Sequence, residues 1–338
     1  MRIGILTSGG DCPGINATIR SVCKTAINHY GMEVMGIHSG FQGLLDNDME
    51  QFSADNLSGL LGMGGTVLGT SRVKLFPKHG HDGRTENASR LLKTVELRGI
   101  DCLICIGGNG TQNTAARLAA MGVNVVTIPQ TIDNDVWGTD ITLGFDSAVE
   151  IATEAIDRLH STASSHKRVM VIEVMGHEAG WLALHSGMAG GGDIILLPEI
   201  PYRMHNLGNV IIDRLKRGKP YSIVVVAEGT SADNERRKHA GEYIAEEIEY
   251  ETGFETRETV LGYLQRGGAP TSFDRNLSTL MGSYAIGLVA ERKFGQMVAF
   301  RNNVVTSVPL EEVCGRSKLV TPEHRLIVEG LKMGVCFG

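Results

Sequence analysis

The stretch Thr7-Ser-Gly-Gly-Asp-Cys-Pro-Gly-Ile-Asn16 directly follows an apolar run, Ile3–Leu6, and leads into a segment with helical periodicity. We expect a helix from Pro13 to Tyr30, because proline favours the first turn of a helix and apolar residues then recur three or four positions apart. Paired glycines let the backbone approach a ligand, and the free N–H groups of a helix start attract anions. The stretch therefore predicts a strand, a turn suited to phosphate, and a helix.

The same unit recurs along the chain. Each apolar run is followed by glycine, proline or an acidic residue; the runs are Ile3–Leu6, Cys102–Ile106, Val125–Ile128, Val169–Val174, Ile194–Leu197 and Ile223–Ala227. A further helix is expected at about Ser147–Ser161. Runs that are apolar throughout and alternate with helices indicate parallel sheets covered on both sides. At 338 residues a single core would be near its size limit. The fold class is therefore α/β, with two Rossmann-like lobes, each a mostly parallel sheet flanked by helices.

Composition narrows the class of protein. The formal net charge of -6 argues against a nucleic-acid-binding surface, so any anion site must be local. No apolar stretch reaches the roughly 18 residues needed to span a bilayer, and the N-terminus lacks a signal-peptide pattern. We expect a cytoplasmic protein without a membrane partner. Cys102 and Cys105 form a C-x-x-C, but in a strand their side chains would point to opposite faces, which favours core cysteines over a redox or metal pair.

A second glycine loop, Gly107-Gly-Asn-Gly-Thr-Gln-Asn-Thr114, also lies between a strand and a helix. A single loop of this kind often serves only packing, whereas two in one lobe favour the phosphates of a nucleotide. Neither loop has the Gly-Lys-Ser/Thr ending of a P-loop or the G-x-G-x-x-G of dinucleotide-binding proteins. These two classes are therefore disfavoured.

The turn Pro129–Asp135 places Asp133 and Asp135 two residues apart at a strand end. Phosphoryl transfer to a hydroxyl needs one carboxylate to accept the proton and usually another near the metal. The alternative is an Asx-rich turn whose side chains bond their own backbone.

Several basic residues lie beside glycines or hydroxyl side chains near the ends of predicted secondary-structure elements. These are Arg72, Arg168, Arg257, Arg266 and His177. Guanidinium groups in such places suit bidentate phosphate binding, but solvated surface pairs are the alternative for each arginine. For His177 the alternative is a hydrogen-bonded core histidine.

Taken together, these motifs resemble the phosphofructokinase family. The matching segments occur in family order over residues 1–286: Gly9–Asn16, Gly64–Arg72, Gly107–Thr111, Thr131–Asp135, Ser164–Arg168, Glu173–Gly176, Glu228 and Leu264–Gly268. The resemblance implies phosphoryl transfer from ATP or pyrophosphate to the 1-hydroxyl of fructose 6-phosphate. It also implies magnesium (Mg2+) as cofactor and a homotetramer, or a homodimer with shared active sites. We place the donor-binding lobe at 1–140 and 265–312, and the sugar-phosphate lobe at 141–264 and 313–338.

The resemblance assigns a role to each residue that matches a family position. Asp133 resembles the general base, with Thr131 beside it and Arg72 as a third catalytic residue. The donor contacts would be Gly10, Arg72, Gly108, Asn109, Gly110 and Thr111. The sugar-phosphate contacts would be Thr131, Asp133, Arg168, Met175, Gly176, His177, Glu228, Arg257, Tyr263 and Arg266. In this scheme Arg257 and Arg266 clamp the 6-phosphate, and Arg168 joins them from a neighbouring subunit.

The sequence departs from the family at informative positions. Asn109 stands where the family has an acidic metal residue, so Asp135 or Asp11 is expected to compensate. Gly110 stands where pyrophosphate-dependent relatives carry an aspartate that crowds the nucleotide. This favours ATP.

Three more positions differ. Gln130 has neither the lysine of the pyrophosphate enzymes nor the glycine of common ATP enzymes. His177 and Tyr263 replace an arginine and a histidine of well-known bacterial ATP enzymes. A pyrophosphate-dependent enzyme and a weakly active regulatory subunit are the alternatives.

Overall fold

We describe a computed structural model of the chain, covering residues 1–76, 86–230 and 239–338 except the side chain of Asn56. Its strands are β1 (Arg2–Ser8), β2 (Glu33–Ile37), β3 (Met49–Phe52), β4 (Cys102–Gly107), β5 (Val125–Pro129), β6 (Val169–Val174), β7 (Ile194–Leu196), β8 (Ser222–Ala227), β9 (Thr256–Val260), β10 (Gln296–Arg301) and β11 (Val304–Pro309).

The α-helices alternate with these strands. They are α1 (Ile15–Asn28), α2 (Phe41–Asp46), α3 (Glu86–Leu97), α4 (Asn109–Ala120), α5 (Phe145–His166), α6 (Trp181–Ala189), α7 (Met204–Lys216), α8 (Ala240–Thr252), α9 (Ser272–Ala290), α10 (Leu310–Val313) and α11 (Arg325–Met333). Short 3₁₀ turns occur at Asp55–Leu57, Leu60–Gly62 and Gly262–Arg266. Among the residues described, no helix is both long enough and apolar enough to cross a bilayer.

The described residues divide into two compact units. The first unit contains residues 1–131, 135–146 and 266–317, and the second contains residues 132–134, 147–265 and 318–338.

The sheet of the first unit has the strand order β11-β10-β5-β4-β1-β2-β3. Its five central strands run parallel, whereas β3 and β11 pair antiparallel with their neighbours at the two edges. Every residue of β4 and β5 is buried, which is why these strands are apolar throughout. Helices α1 and α9 pack against each other, and α4 lies on β4 and β5.

The sheet of the second unit has the order β7-β8-β6-β9, and all its pairings are parallel. Strands β6, β7 and β8 are fully buried. Leu207 and Ile211 of α7 and Ile244 and Ile248 of α8 complete the apolar core on this sheet.

The predicted fold class is confirmed. Each predicted apolar run forms a strand, and the predicted helices are α1 and α5, of which α5 is longer than expected because it continues to His166. Cys102 and Cys105 are buried, free thiols in β4, which confirms that they are core residues. The two glycine loops lie at the carboxyl ends of β1 and β4. This is the edge at which an open parallel sheet binds ligands.

Candidate active site

The first glycine loop connects β1 to α1 in the first unit. Gly9 and Gly14 have φ angles of 98° and 100°, which glycine tolerates without strain. A Cβ on Gly10 would lie 2.5 Å from Nη1 of Arg266, and this nitrogen donates to the Asp11 carbonyl over 3.1 Å. The structure therefore brings two predicted site residues, Gly10 and Arg266, into contact.

The segment that carries Arg72 pairs with the same loop. The Gly9 N–H donates to the Ser71 carbonyl over 3.1 Å, and the Thr70 hydroxyl donates to the Gly9 carbonyl over 2.7 Å. Arg72 itself is exposed. Its backbone position is thus fixed beside the loop while its guanidinium faces solvent.

The second glycine loop is packed against the end of β1. A Cβ on Gly107 would lie only 2.3 Å from the Ser8 carbonyl oxygen, so only glycine fits there. The Thr111 hydroxyl donates to the same carbonyl over 3.0 Å. A Cβ on Gly110, by contrast, would meet nothing within 4 Å. The two loops are neighbours, and Gly110 borders open space.

The acidic turn meets the second loop through Asn109. The Asn109 amide nitrogen, Nδ2, donates to the Asp135 carboxylate over 2.8 Å and to the Asp135 carbonyl over 3.3 Å. Thr131 is buried, its carbonyl accepts from the Thr142 hydroxyl over 2.7 Å, and its Cβ lies 3.4 Å from the Cβ position of Gly108. The predicted donor residues Gly108 and Asn109 therefore lie beside Thr131 and Asp135.

Asn109 and Asp135 also test the fit to magnesium. Together they offer a carboxylate and an amide oxygen in one cluster, next to the phosphate loops. Within residues 1–76, 86–230 and 239–338, no group of three or more His, Cys, Asp or Glu side chains is arranged to hold a metal. Because Mg²⁺ typically binds through one or two carboxylates plus substrate phosphates, this small set fits it.

Gln130 is buried beneath the first loop. Its residue is 1% exposed, and its Nε2 lies 3.5 Å from the Cβ position of Gly14. Burial raises the pKa of the adjacent Cys12 thiol, and the Asp274 carboxylate raises it further. The Gln130 side chain is thus packed under the loop backbone next to a neutral thiol.

In the second unit, one turn gathers several predicted sugar contacts. It follows β6 and contains Met175, Gly176 and His177. The Glu228 carboxylate accepts from the N–H groups of Gly176 and His177 over 3.1 and 2.7 Å. His177 is exposed, so it is not the core histidine that we considered as an alternative. The φ angle of 142° at Gly176 explains why glycine follows Met175.

Arg168 and Arg257 converge on one carboxylate. Glu255 lies 2.7 Å from Nε of Arg168 and 2.6 Å from Nη2 of Arg257. The Arg168 guanidinium lowers the pKa of the Glu255 carboxyl, and Arg257 acts in the same direction. Tyr263, in the 3₁₀ turn Gly262–Arg266, is 78% exposed. The second unit therefore presents two arginines as a pair, whereas Arg266 lies in the first unit.

Asp133 is half-buried in the second unit. A contact to its neighbour Asn134 comes from Lys318. The motifs gave no signal for this lysine.

Comparison with known proteins assigns the family. A family model described as "Phosphofructokinase" matches residues 2–289. The chain belongs to the phosphofructokinase family. The resemblance read from the motifs is thereby confirmed.

Two phosphofructokinase relatives match over almost their full length. "ATP-dependent 6-phosphofructokinase 3" of Bacteroides thetaiotaomicron is 69% identical over 338 residues, covering 100% of both chains. "ATP-dependent 6-phosphofructokinase" of Spirochaeta thermophila is 50% identical, covering 99% of this chain and 97% of the relative.

Solved phosphofructokinase structures share the fold. The Saccharomyces cerevisiae enzyme superimposes with a TM-score of 0.82 at 32% identity, over 92% of this chain and 45% of the yeast chain. This chain therefore spans less than half of the yeast protein. The pyrophosphate-dependent enzyme from Marinobacter aquaeolei has a TM-score of 0.85 at 23% identity, over 99% of this chain and 91% of that one, which bears on the fold alone.

Proposed function

We propose that the chain is an ATP-dependent 6-phosphofructokinase, which transfers a phosphoryl group from ATP to the 1-hydroxyl of fructose 6-phosphate to give fructose 1,6-bisphosphate in glycolysis. The activity named for the two relatives at 69% and 50% identity supports both the acceptor and the donor. In the structure, the open space beside Gly110 supports ATP as the donor, because an aspartate at this position would crowd a nucleotide. The prediction of ATP is borne out.

The first unit would bind the donor. Backbone N–H groups at the starts of α1 and α4 face the two glycine loops, where phosphate oxygens are favoured. Arg72 would add a charge-assisted contact to the transferring phosphate. Asn109 and Asp135 would hold Mg²⁺, which neutralises phosphate charge when bound.

Asp133 would act as the base. It accepts the proton of the 1-hydroxyl as that oxygen bonds to phosphorus and ADP leaves with the old P–O electron pair. Phosphoryl transfer depends mainly on positioning and on stabilisation of charge. A fixed carboxylate next to the acceptor hydroxyl therefore supplies the main acid–base step.

The second unit would bind the sugar phosphate. Glu228 and the turn Met175–His177 supply hydrogen-bonding groups for the sugar hydroxyls. Arg168 and Arg257 would bind the 6-phosphate, with Tyr263 of the same unit beside them. The family resemblance assigns Arg266, which belongs to the first unit, to the same phosphate. Because Glu255 pairs with both Arg168 and Arg257 within one chain, the two arginines would reach the site of a neighbouring subunit together. Such a shared site would need a homotetramer or a homodimer, and we place the enzyme in the cytoplasm.

A coupled assay with each donor tests the proposal. Fructose 6-phosphate turnover should be faster with MgATP than with magnesium pyrophosphate at matched concentrations. Equal or faster turnover with pyrophosphate would reject the donor assignment. No turnover with either donor, together with retained binding of fructose 6-phosphate, would indicate a regulatory subunit instead.

A further inference from the structure

The Lys318 side chain contacts the turn that contains the proposed base, Asp133. Its Nζ donates to the side-chain oxygen of Asn134 over 2.9 Å, although 184 positions separate the two residues. Asn134 directly follows Asp133, and all three residues belong to the second unit. The contact therefore acts one residue away from the proposed base.

Lys318 is itself held in place by Trp181, the first residue of α6. The Trp181 indole N–H donates to the Lys318 carbonyl over 2.8 Å. The same indole ring lies 5.3 Å from the Lys318 ammonium, within cation–π range. Two residues further on, the Val320 N–H donates to Glu199, which also accepts from the Gly180 N–H next to α6. Both the backbone and the side chain of Lys318 thus contact the start of α6.

Asn134 has an uncommon backbone conformation. It is 3% exposed and has a φ angle of 51°, in the left-handed region that few residues other than glycine, asparagine and aspartate adopt. The φ angle at Asn134 decides how the peptide planes on both sides are oriented, and one of these belongs to Asp133. A buried hydrogen bond from a cation is worth more than one from a neutral donor.

Lys318, His185 and His324 all lie near Trp181, and the Lys318 ammonium is the charged group among them. His185 and His324 lie near Trp181, with ring centroids 6.3 and 5.2 Å away. Burial lowers the pKa of His185 to about 4, with His324 and Lys318 contributing, and burial also lowers the pKa of His324. Both histidines are therefore neutral near pH 7.

We propose that Lys318 is a positioning residue for the base Asp133, acting through Asn134, with Trp181 as its support. The inference rests on the proposed function, since it assigns Asp133 as the base. Lys318 does not touch the reacting atoms. It holds the turn so that the carboxylate is aligned with the acceptor hydroxyl before the substrate binds.

The test compares Lys318→Met with Lys332→Met in the full-length enzyme. Lys332 lies in the same C-terminal segment, is exposed, and pairs with Glu329 on α11. Lys318→Met should lower kcat roughly ten- to a hundred-fold, because a misaligned catalytic group costs that much, while both KM values stay unchanged. Lys332→Met should behave like the wild type, and Lys318→Arg should restore most of kcat because it can also donate to Asn134 and stack on Trp181.

A double-mutant cycle tests the path through Asn134. Asn134→Gly keeps the left-handed backbone accessible but removes the acceptor. The combined variant with Lys318→Met should be no slower than the slower single variant. Additive losses, an unchanged kcat in Lys318→Met, or a rise in both KM values with a lower Tm would each overturn the inference.

A measurement without turnover separates this inference from the proposed function. Hydrogen exchange at the amides of residues 133–135 should be faster in Lys318→Met than in Lys332→Met. If the wild type lacks phosphofructokinase activity but this difference is present, the proposed function fails while the Lys318–Asn134 support stands. If the wild type is active and the exchange is unchanged, the inference fails alone.

Discussion

The side-chain amide of Asn109 donates to the carboxylate of Asp135 over 2.8 Å, joining the second glycine loop to the acidic turn. An aspartate at position 109 would place two carboxylates in contact, where like charges at about 4 Å repel by about 1 kcal/mol even in water. Asn109 therefore holds Asp135 in place without that repulsion. It also leaves the site with one negative charge fewer for Mg²⁺.

Asn109→Asp should lower the stability of the protein and raise its affinity for Mg²⁺. Without Mg²⁺ the variant should have a lower Tm than the wild type. The Mg²⁺ concentration giving half-maximal activity should fall roughly fivefold, which corresponds to about 1 kcal/mol. Asp135→Asn should raise that concentration. If Asp135→Asn leaves the magnesium dependence untouched, Asp135 is not the compensating ligand.

Asp133→Asn should abolish most turnover while substrate binding remains. The amide cannot accept the hydroxyl proton, so kcat should fall by roughly 10²–10⁴. Binding of fructose 6-phosphate, measured by calorimetry, should stay close to that of the wild type. Asp157→Asn, an exposed change on α5, is the matched control. A kcat equal to that of the control would reject the role of Asp133.

Gly110→Asp should act on the donor and not on folding. A Cβ at this position meets nothing within 4 Å, so the Tm should be close to that of Gly110→Ala. KM for ATP should nevertheless rise roughly tenfold or more, a loss of about 1.4 kcal/mol, because the carboxylate repels and crowds the nucleotide. Gly287→Ala on α9, where the Cβ position is also open, controls for the loss of a helical glycine. An unchanged KM for ATP in Gly110→Asp would show that this position does not select the donor.

His185 should make the fold sensitive to mild acid. Because its pKa is about 4 in the folded protein and about 6.5 when unfolded, the unfolded chain takes up a proton first as the pH falls. Stability contributed by the neutral ring is complete above pH 6.5 and is lost between pH 6.5 and 4. The loss is about 1.4 kcal/mol per pH unit, or about 3 kcal/mol in total.

His185→Gln should flatten the decline of unfolding free energy over this range, measured by urea titration at several pH values. His205→Gln, at an exposed position on α7, should leave the slope unchanged. Equal slopes in both variants would contradict the burial argument.

Strands with buried side chains were predictable, whereas strands with exposed side chains were not. β9 reads Thr-Arg-Glu-Thr-Val and has mostly exposed side chains, so no apolar pattern marks it. β10 and β11 did leave a signal. Asn302 and Asn303 have φ angles of 50° and 63°, the two left-handed residues of a tight hairpin turn, and Asn-Asn between apolar runs is typical of one.

The candidate site was predictable where local chemistry marks it. The glycine loops and the turn around Asp133 can be recognised in the sequence by their composition and by their position after a strand. The contacts that orient these segments have no such mark in the sequence. Asn109 contacts Asp135 through its side-chain rotamer, and Lys318 contacts Asn134 across 184 positions. Such contacts depend on the tertiary fold, which the motifs alone do not encode.

The order of the segments has a consequence for synthesis on the ribosome. Strand β5 acquires its neighbour β10, and α1 its partner α9, only after residues 147–265 have been made. Most of the second unit leaves the ribosome as one continuous stretch, while the edge of β5 that later pairs with β10 is still unpaired. The nascent chain therefore exposes an unpaired strand edge during this interval, which is the stage most open to aggregation.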